Sequence, residues 1–236
     1  DIQGVIISTE PTAHKAYAEW ALNSGLNILM DKPISVRKGI SFDSTQAQGL
    51  LDDYEDLLDL YKKHQSPEPK LFSVNVQRRY DHGFDKVKEL IAETTQKFNV
   101  PITSMQVMHA DGSWRFPKEI LTQESHGLSG GFGKIAHSGY HLFDMAWQLY
   151  LSSMVADRRP DGLEIFSSAF NPTGLDVCIN EKDYRGYFGD KFDPTGLSRQ
   201  QYLETCADYG EMDSFNIIRL MKEGVNICNI SVNLMH

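Results

Sequence analysis

The chain has only three cysteines in 236 residues, Cys178, Cys206 and Cys228, widely spaced and with no CxxC pair. That scarcity excludes a disulfide framework and a zinc knuckle, and it fits a reducing cytoplasm. No apolar run reaches the roughly 18–20 residues that span a bilayer, and no signal-peptide pattern opens the sequence, so no membrane partner is expected. Basic residues never run beyond a pair, Arg78-Arg79 among them. With a formal charge of −9 and a pI near 5.3, the surface repels polyanions, and nucleic acid is excluded as a partner. An initiator Met is also missing. The chain opens with Asp1-Ile2-Gln3 and passes at once into the apolar run Gly4-Val5-Ile6-Ile7-Ser8, as expected of a fragment.

Hydrophobic residues make up 41% of the chain, enough for one large core or two small ones. Val5 to Ile7 read as a strand, and Ala13, Ala16, Tyr17, Trp20 and Ala21 then fall at helical spacing, with Pro11 in the first turn. Gly25 sits where a left-handed helix cap is wanted, and Ile28-Leu29-Met30 form a second strand. This is a βαβ unit. Its strands run parallel, so Ser8-Thr9 and Asp31-Lys32 emerge at the same carboxyl edge, where open α/β sheets bind ligands. A helix is predicted over 48–64, a third strand over 71–76 and another helix over 84–97. Beyond Val100-Pro101 the rhythm changes. A strand over 102–109, a Gly-rich loop over 125–133 and an aromatic-rich helix over 140–150 precede strands near 163–170, 215–220 and 225–232, separated by long polar connections. The fold class predicted is α/β. A partial Rossmann-type parallel sheet over 1–100 is followed over 101–236 by an α+β domain with a mostly antiparallel sheet.

Lys32 follows a buried parallel strand, where its ammonium can donate to an alcohol oxygen. Pro33 restricts it to extended backbone, and Asp31 offers a carboxylate to a ribose hydroxyl. The tripeptide alone also reads as a solvated strand-end turn. Three stretches extend the signal: Gly4 to His14, Ala21-Leu22-Asn23-Ser24-Gly25, and Ile28 to Pro33. Together they resemble the glucose-fructose oxidoreductase and inositol dehydrogenase-like (Gfo/Idh/MocA) family. That family has a Thr-Pro-type strand-end turn, a His a few residues on, an Ala-Leu helix closing in Gly, and a Glu-Lys-Pro motif. The resemblance implies that Ser8, Thr9, Pro11, His14, Asp31 and Lys32 face NAD or NADP, and that Lys32 also binds and polarises substrate. Asp31 stands for the usual Glu, and Glu10 is inserted before Pro11.

A second constellation runs from Gly130 to Asp144 and puts His137, His141 and Asp144 at i, i+4 and i+7, one face of an α-helix. The family has a Gly-rich stretch and Asp-x-Gly-x-His-x-x-Asp here, so His137 replaces the first Asp. The resemblance implies that His141 is the acid/base for the substrate hydroxyl, with His137 and Lys32 assisting and Asp144 near the substrate. The same residues also read as a metal site or as a plain helix with capped polar groups. Gly131-x-Gly133-x-x-Ala136 fits a dinucleotide pattern only formally, because no apolar strand precedes it. Arg79, Trp114 and Arg115 are candidate substrate contacts, since guanidinium forks bind hydroxyls or carboxylates and an indole face stacks on a sugar ring.

The resemblance therefore implies hydride transfer between NAD or NADP and a sugar, polyol or cyclitol, in a homo-oligomer. The family's Gly-rich phosphate turn after a first strand is not in this sequence. Two other functions stay open: a catalytically silent sugar or nucleotide sensor on the same scaffold, and a metal-binding α/β protein using His137 and His141. With half of a nucleotide-binding sheet absent, apolar strand faces are expected to be exposed.

Overall fold

The computed structural model describes residues 2–112, 115–123 and 128–236. They form two compact units, one of Asp1–Val76 with Leu128–Phe132 and Asp208–Gly210, the other of the rest.

In the first unit, β1 (Gly4–Ile7), β2 (Asn27–Met30) and β3 (Phe72–Val74) form a parallel sheet in that order. Helix α1 (His14–Asn23) crosses from β1 to β2, and α2 (Ser44–Lys63) from β2 to β3. The end of α1 follows its sequence signal. Gly25 is left-handed at φ +67°, its N–H bonds to Leu22 O, and Leu26 N–H bonds to Ala21 O, a double bond pattern that satisfies two terminal carbonyls. Helix α2 begins earlier than its apolar periodicity predicts, because Asp43 caps it by accepting from Thr45 and Gln46 N–H. Ile7, Ile28 and Met30 on one sheet face pack with Ala18, Ala21, Leu22 and Leu57 into a core. Ile6 and Leu29, on the other face, are 76% and 47% exposed.

The second unit contains α3 (His82–Phe98), β4 (Ser104–Ala110), α4 (Pro117–Thr122), α5 (Tyr140–Ser152) and β5 (Gly162–Phe170). Three short helices, α6 (Pro172–Cys178), α7 (Glu181–Phe188) and α8 (Arg199–Thr205), lead to β6 (Asp213–Lys222) and β7 (Val225–Met235). The sheet order is β4-β7-β6-β5, antiparallel except for the parallel β4/β7 pair. Leu142, Ala146 and Tyr150 of α5 pack on Leu220, Cys228, Ile230, Val232 and Leu234. The compact units divide after Val76 and not near residue 100, because α3 packs on α5.

The polar connection predicted between β5 and β6 is helical. Asn180 with Asp183, and Ser198 with Gln201, form capping boxes that start α7 and α8. Helices of seven or eight residues are too short to show a clear apolar period. Of the Gly-rich loop predicted over 125–133, residues 125–127 lie outside the described set, and Leu128–Gly130 form one 3-10 turn. Among the described residues no helix is long and apolar enough to cross a membrane.

Candidate functional site

In the first unit the parallel register brings Ser8-Thr9 and Asp31-Lys32 to one sheet edge, as their spacing predicts. Ser8 and Thr9 are exposed, while Pro11, Asp31 and Lys32 are half-buried. Asp31 Oδ1 accepts the Lys32 N–H at 2.9 Å. His14 departs from the expectation of a cofactor contact. It is 0% exposed, with Nδ1 2.6 Å from Pro33 O and Nε2 3.1 Å from Thr9 O. Its imidazole thus ties the Thr9 turn to the Lys32-Pro33 turn from within the core. Carbonyls only accept, so the ring donates to both of them only as an imidazolium.

The loop after Lys32-Pro33 is fixed a second time, by Asp53 of α2. This carboxylate is 3% exposed and accepts from Ser35 Oγ at 3.0 Å, Lys15 Nζ at 2.8 Å, and Arg37 Nε and Nη2 at 2.8 and 2.7 Å. The Arg37 hydrogen bonds first, then those of Lys15 and Ser35, outweigh burial and hold the Asp53 carboxyl far below the usual carboxylate range.

In the second unit the chain enters its aromatic helix through a tightly packed turn. A Cβ on Gly133 would lie 1.9 Å from Glu211 O. The close approach lets Lys134 N–H bond to Glu211 O at 2.9 Å and Ile135 N–H to the buried Glu211 Oε1 at 2.7 Å. A carboxylate is favoured there because it meets the unpaired N–H groups of a helix start. Residues Ile135–Gly139 then form a π-helical turn, with Tyr140 N–H reaching back to Ile135 O. Such a turn inserts a residue, so His137 does not keep the strict α spacing to His141 that the sequence predicts. His141 and Asp144 lie three apart within α5, neighbours on one face of the helix.

His141 is buried, and its Nε2 is 2.6 Å from the Tyr140 hydroxyl. This pair can pass a proton between a phenol and an imidazole. Arg79 and Asp144, both expected to face substrate, meet each other through Arg79 Nε and Nη2 at 3.0 and 2.5 Å. Arg115 lies in the turn before α4, which packs on α6. Trp114 lies outside the described residues. Among the described residues no three His, Cys, Asp or Glu side chains gather as a metal cage.

The structure adds a group to this unit that sequence patterns miss. Buried Lys134 pairs with Asp111, just past β4. His109 of β4 stands between two charged groups: Nε2 faces Arg78 Nη2 at 3.4 Å, and Nδ1 is 3.4 Å from Asp111 Oδ1 without hydrogen-bond alignment. Burial first, then the Lys134 and Arg78 cations, lowers the His109 pKa against the opposing pull of Asp111. Burial pushes the Asp111 carboxyl up, but Lys134, His109 and His137 together bring it below its ordinary value. Lys134 had a sequence signal, since it closes Gly130-Gly131-Phe132-Gly133. Asp111 and His109 had none beyond their place at a strand end.

No protein-family model matches the chain, and no curated protein matches it in sequence. Solved structures do. Myo-inositol 2-dehydrogenase from Lactobacillus plantarum is similar over 100% of this chain and 52% of its own, at 14% identity and a TM-score of 0.57. An inositol dehydrogenase homolog from Azotobacter vinelandii, solved with NADH and myo-inositol, is similar over 98% of this chain and 44% of its own, at 13% identity and a TM-score of 0.57. A probable dehydrogenase from Thermotoga maritima covers 100% of this chain with 51% of its own, at 14% identity and a TM-score of 0.58. The chain spans about half the length of these structures. At such identities the likeness is one of fold: an α/β chain in which a parallel sheet precedes a mixed one, shared with dehydrogenases.

Proposed function

We propose that the chain is part of an NAD- or NADP-dependent oxidoreductase that transfers a hydride between the nicotinamide cofactor and a hydroxyl-bearing carbon of a sugar, polyol or cyclitol. The observation that carries this reading is His141, a buried imidazole in hydrogen-bond contact with the Tyr140 hydroxyl. It occurs in a chain whose parallel-sheet edge also presents Asp31-Lys32-Pro33 and whose fold is that of the dehydrogenases above. His141 takes or returns the hydroxyl proton, with Tyr140 as its partner and His137 assisting. Lys32 binds the oxygen and stabilises its developing negative charge.

The residues present fit the nicotinamide end of the cofactor. Ser8 and Thr9 are exposed at the sheet edge, Asp31 stands beside them, His14 ties the Thr9 and Lys32-Pro33 turns together, and Asp53 fixes the loop that follows. No Gly-rich turn after a strand in this sequence offers the diphosphate a cradle. When bound, the cofactor supplies the hydride acceptor at its nicotinamide ring. On this reading the first compact unit belongs to the cofactor-binding domain and the second to the substrate and oligomerisation domain.

The test is absorbance of the reduced cofactor when the protein is mixed with NAD or NADP and a panel of sugars and polyols. Turnover is expected, and His141→Asn is expected to lower kcat by about 10²–10⁴-fold, the usual contribution of a positioned acid/base. Tight cofactor binding without turnover on any substrate favours a silent sugar or nucleotide sensor, the reading that His137 at a family Asp position supports.

The same proposal includes a homo-oligomer. Phe166, Phe215 and Ile217 lie exposed on one face of the second sheet, with Phe166 directly opposite Ile217. Contiguous exposed apolar surface of this kind marks an interface. Ile217→Lys is expected to convert the assembly to monomers in light scattering, and an unchanged mass would remove this face as the contact.

A further inference from the structure

We infer that the second unit carries a binding site for a small quaternary ammonium compound of the choline type, an aromatic cavity beside α7 with Tyr187 as its outer wall.

The cavity, of about 480 Å³, is lined among the described residues by Phe116, Ile179, Asp183, Tyr184, Tyr187 and Phe188. Its size is usual for a small-ligand site. Four of the six are aromatic, and their rings cross at steep angles. Phe116 lies at 70° to Tyr184 and 86° to Phe188, and Tyr187 at 68° to Phe188, with centroids 5.5, 5.3 and 4.9 Å apart. Rings crossed in this way bound one space from different sides. Tyr184 is buried and stacks on Phe192 at 5.3 Å, which fixes the inner wall. Tyr187 is instead 85% exposed, and Phe188 39%. Core packing does not account for an aromatic ring at 187, whereas a ligand that covers it does.

Charge selects the ligand. Aromatic faces are negative, Asp183 adds a carboxylate, and no basic side chain lines the cavity among the described residues. Asp183 Oδ2 accepts the Asn180 N–H at 3.0 Å in the capping box of α7, and among the described residues no cation pairs with it. Arg185, over the Phe192 ring at 5.9 Å, is matched by Glu181. The same ring cluster thus already holds one cation of the protein's own. A methylated ammonium fits such a cavity, because its charge is drawn to ring faces and its methyl groups need no hydrogen-bond partner. A sugar would leave most of its hydroxyls without partners against these rings, and an anion would meet Asp183. None of the lining residues serves the proposed hydride transfer, so this inference stands or falls apart from it.

The experiment is calorimetric titration of the full chain with three probes: choline, the uncharged isostere in which carbon replaces the ammonium nitrogen (dimethylbutanol), and glycine betaine. Choline is expected to bind about tenfold more tightly than the isostere, the discrimination of a partly desolvated cation–π site. It should also bind more tightly than betaine, whose carboxylate Asp183 repels. Tyr187→Leu keeps an apolar wall but removes its π face, so the preference for choline should fall to about threefold or less. Asp183→Asn keeps an oxygen for the cap, and it should weaken choline while leaving the isostere unchanged. Thermal unfolding of both variants checks that they fold. Equal binding of choline and its isostere, betaine bound as tightly as choline, a preference unchanged in Tyr187→Leu, or no binding of any of the three overturns the inference.

Discussion

Replacing Gly133 by Ala is expected to destabilise the protein by about 3 kcal/mol or more, although the change adds a single methyl group. The added carbon would meet backbone on the facing segment, at 1.9 Å from Glu211 O and 2.4 Å from Glu211 N. Backbone cannot rotate away as a side-chain tip can. Overpacking of a tight site costs about 1–3 kcal/mol. The same displacement loosens the Lys134 N–H and Ile135 N–H bonds to Glu211, each contributing about 1 kcal/mol. Urea unfolding measures the sum. Gly186 is the internal control, because a Cβ there meets nothing within 4 Å and the residue lies inside α7. Gly186→Ala should be neutral or stabilising, by up to about 1 kcal/mol. If both alanines behave alike, the Gly133–Glu211 contact does not set the start of the His137–His141 helix.

The second large effect belongs to Asp53. Asp53→Asn keeps the shape of the side chain but removes the charge that Arg37 and Lys15 share, so about 2–4 kcal/mol should be lost near neutral pH. The figure is set below that for breaking a fully buried pair because the two cations remain partly exposed. The sign of the pH dependence follows from the direction of the Asp53 shift. Its folded pKa is lowered, so its stabilisation is complete above the unfolded value of about 4 and is lost as pH falls through the folded one. Wild type and Asp53→Asn should therefore differ most at neutral pH and converge under strong acid. A difference that stays constant down to strong acid would mean that the carboxylate charge is not what holds the Ser35–Arg37 loop.

Local signals carried most of the first unit. Pro11, Gly25 and the apolar runs at Val5–Ile7 and Ile28–Met30 each act within a few residues, and the parallel edge with Ser8 and Lys32 follows from them. The mostly antiparallel second sheet was legible from apolar strand runs for the same reason. What could not be read depends on partners distant in sequence. His14 sits in the motif region like a ligand contact, yet burial sends its ring to two carbonyls. Asp53 looks like one more acid on a solvated helix until Lys15 and Arg37 are brought to it. Lys134 and Asp111 are separated by a strand end and a connection. The π turn at 135–139 leaves no mark in the His137, His141, Asp144 spacing, and so the geometry of those three was predicted too simply. Arg79 was legible as a charged residue near the site, but its bidentate pairing with Asp144 was not.

Isotope transfer tests the central claim most directly. A polyol or sugar deuterated at the reacting carbinol carbon is incubated with the protein and NAD or NADP, and the reduced cofactor is analysed by mass spectrometry. The account predicts one deuterium delivered to the nicotinamide ring by the wild type and almost none by His141→Asn or Lys32→Ala. Cofactor that binds but stays unlabelled, or labelling equally fast in both variants, would contradict it.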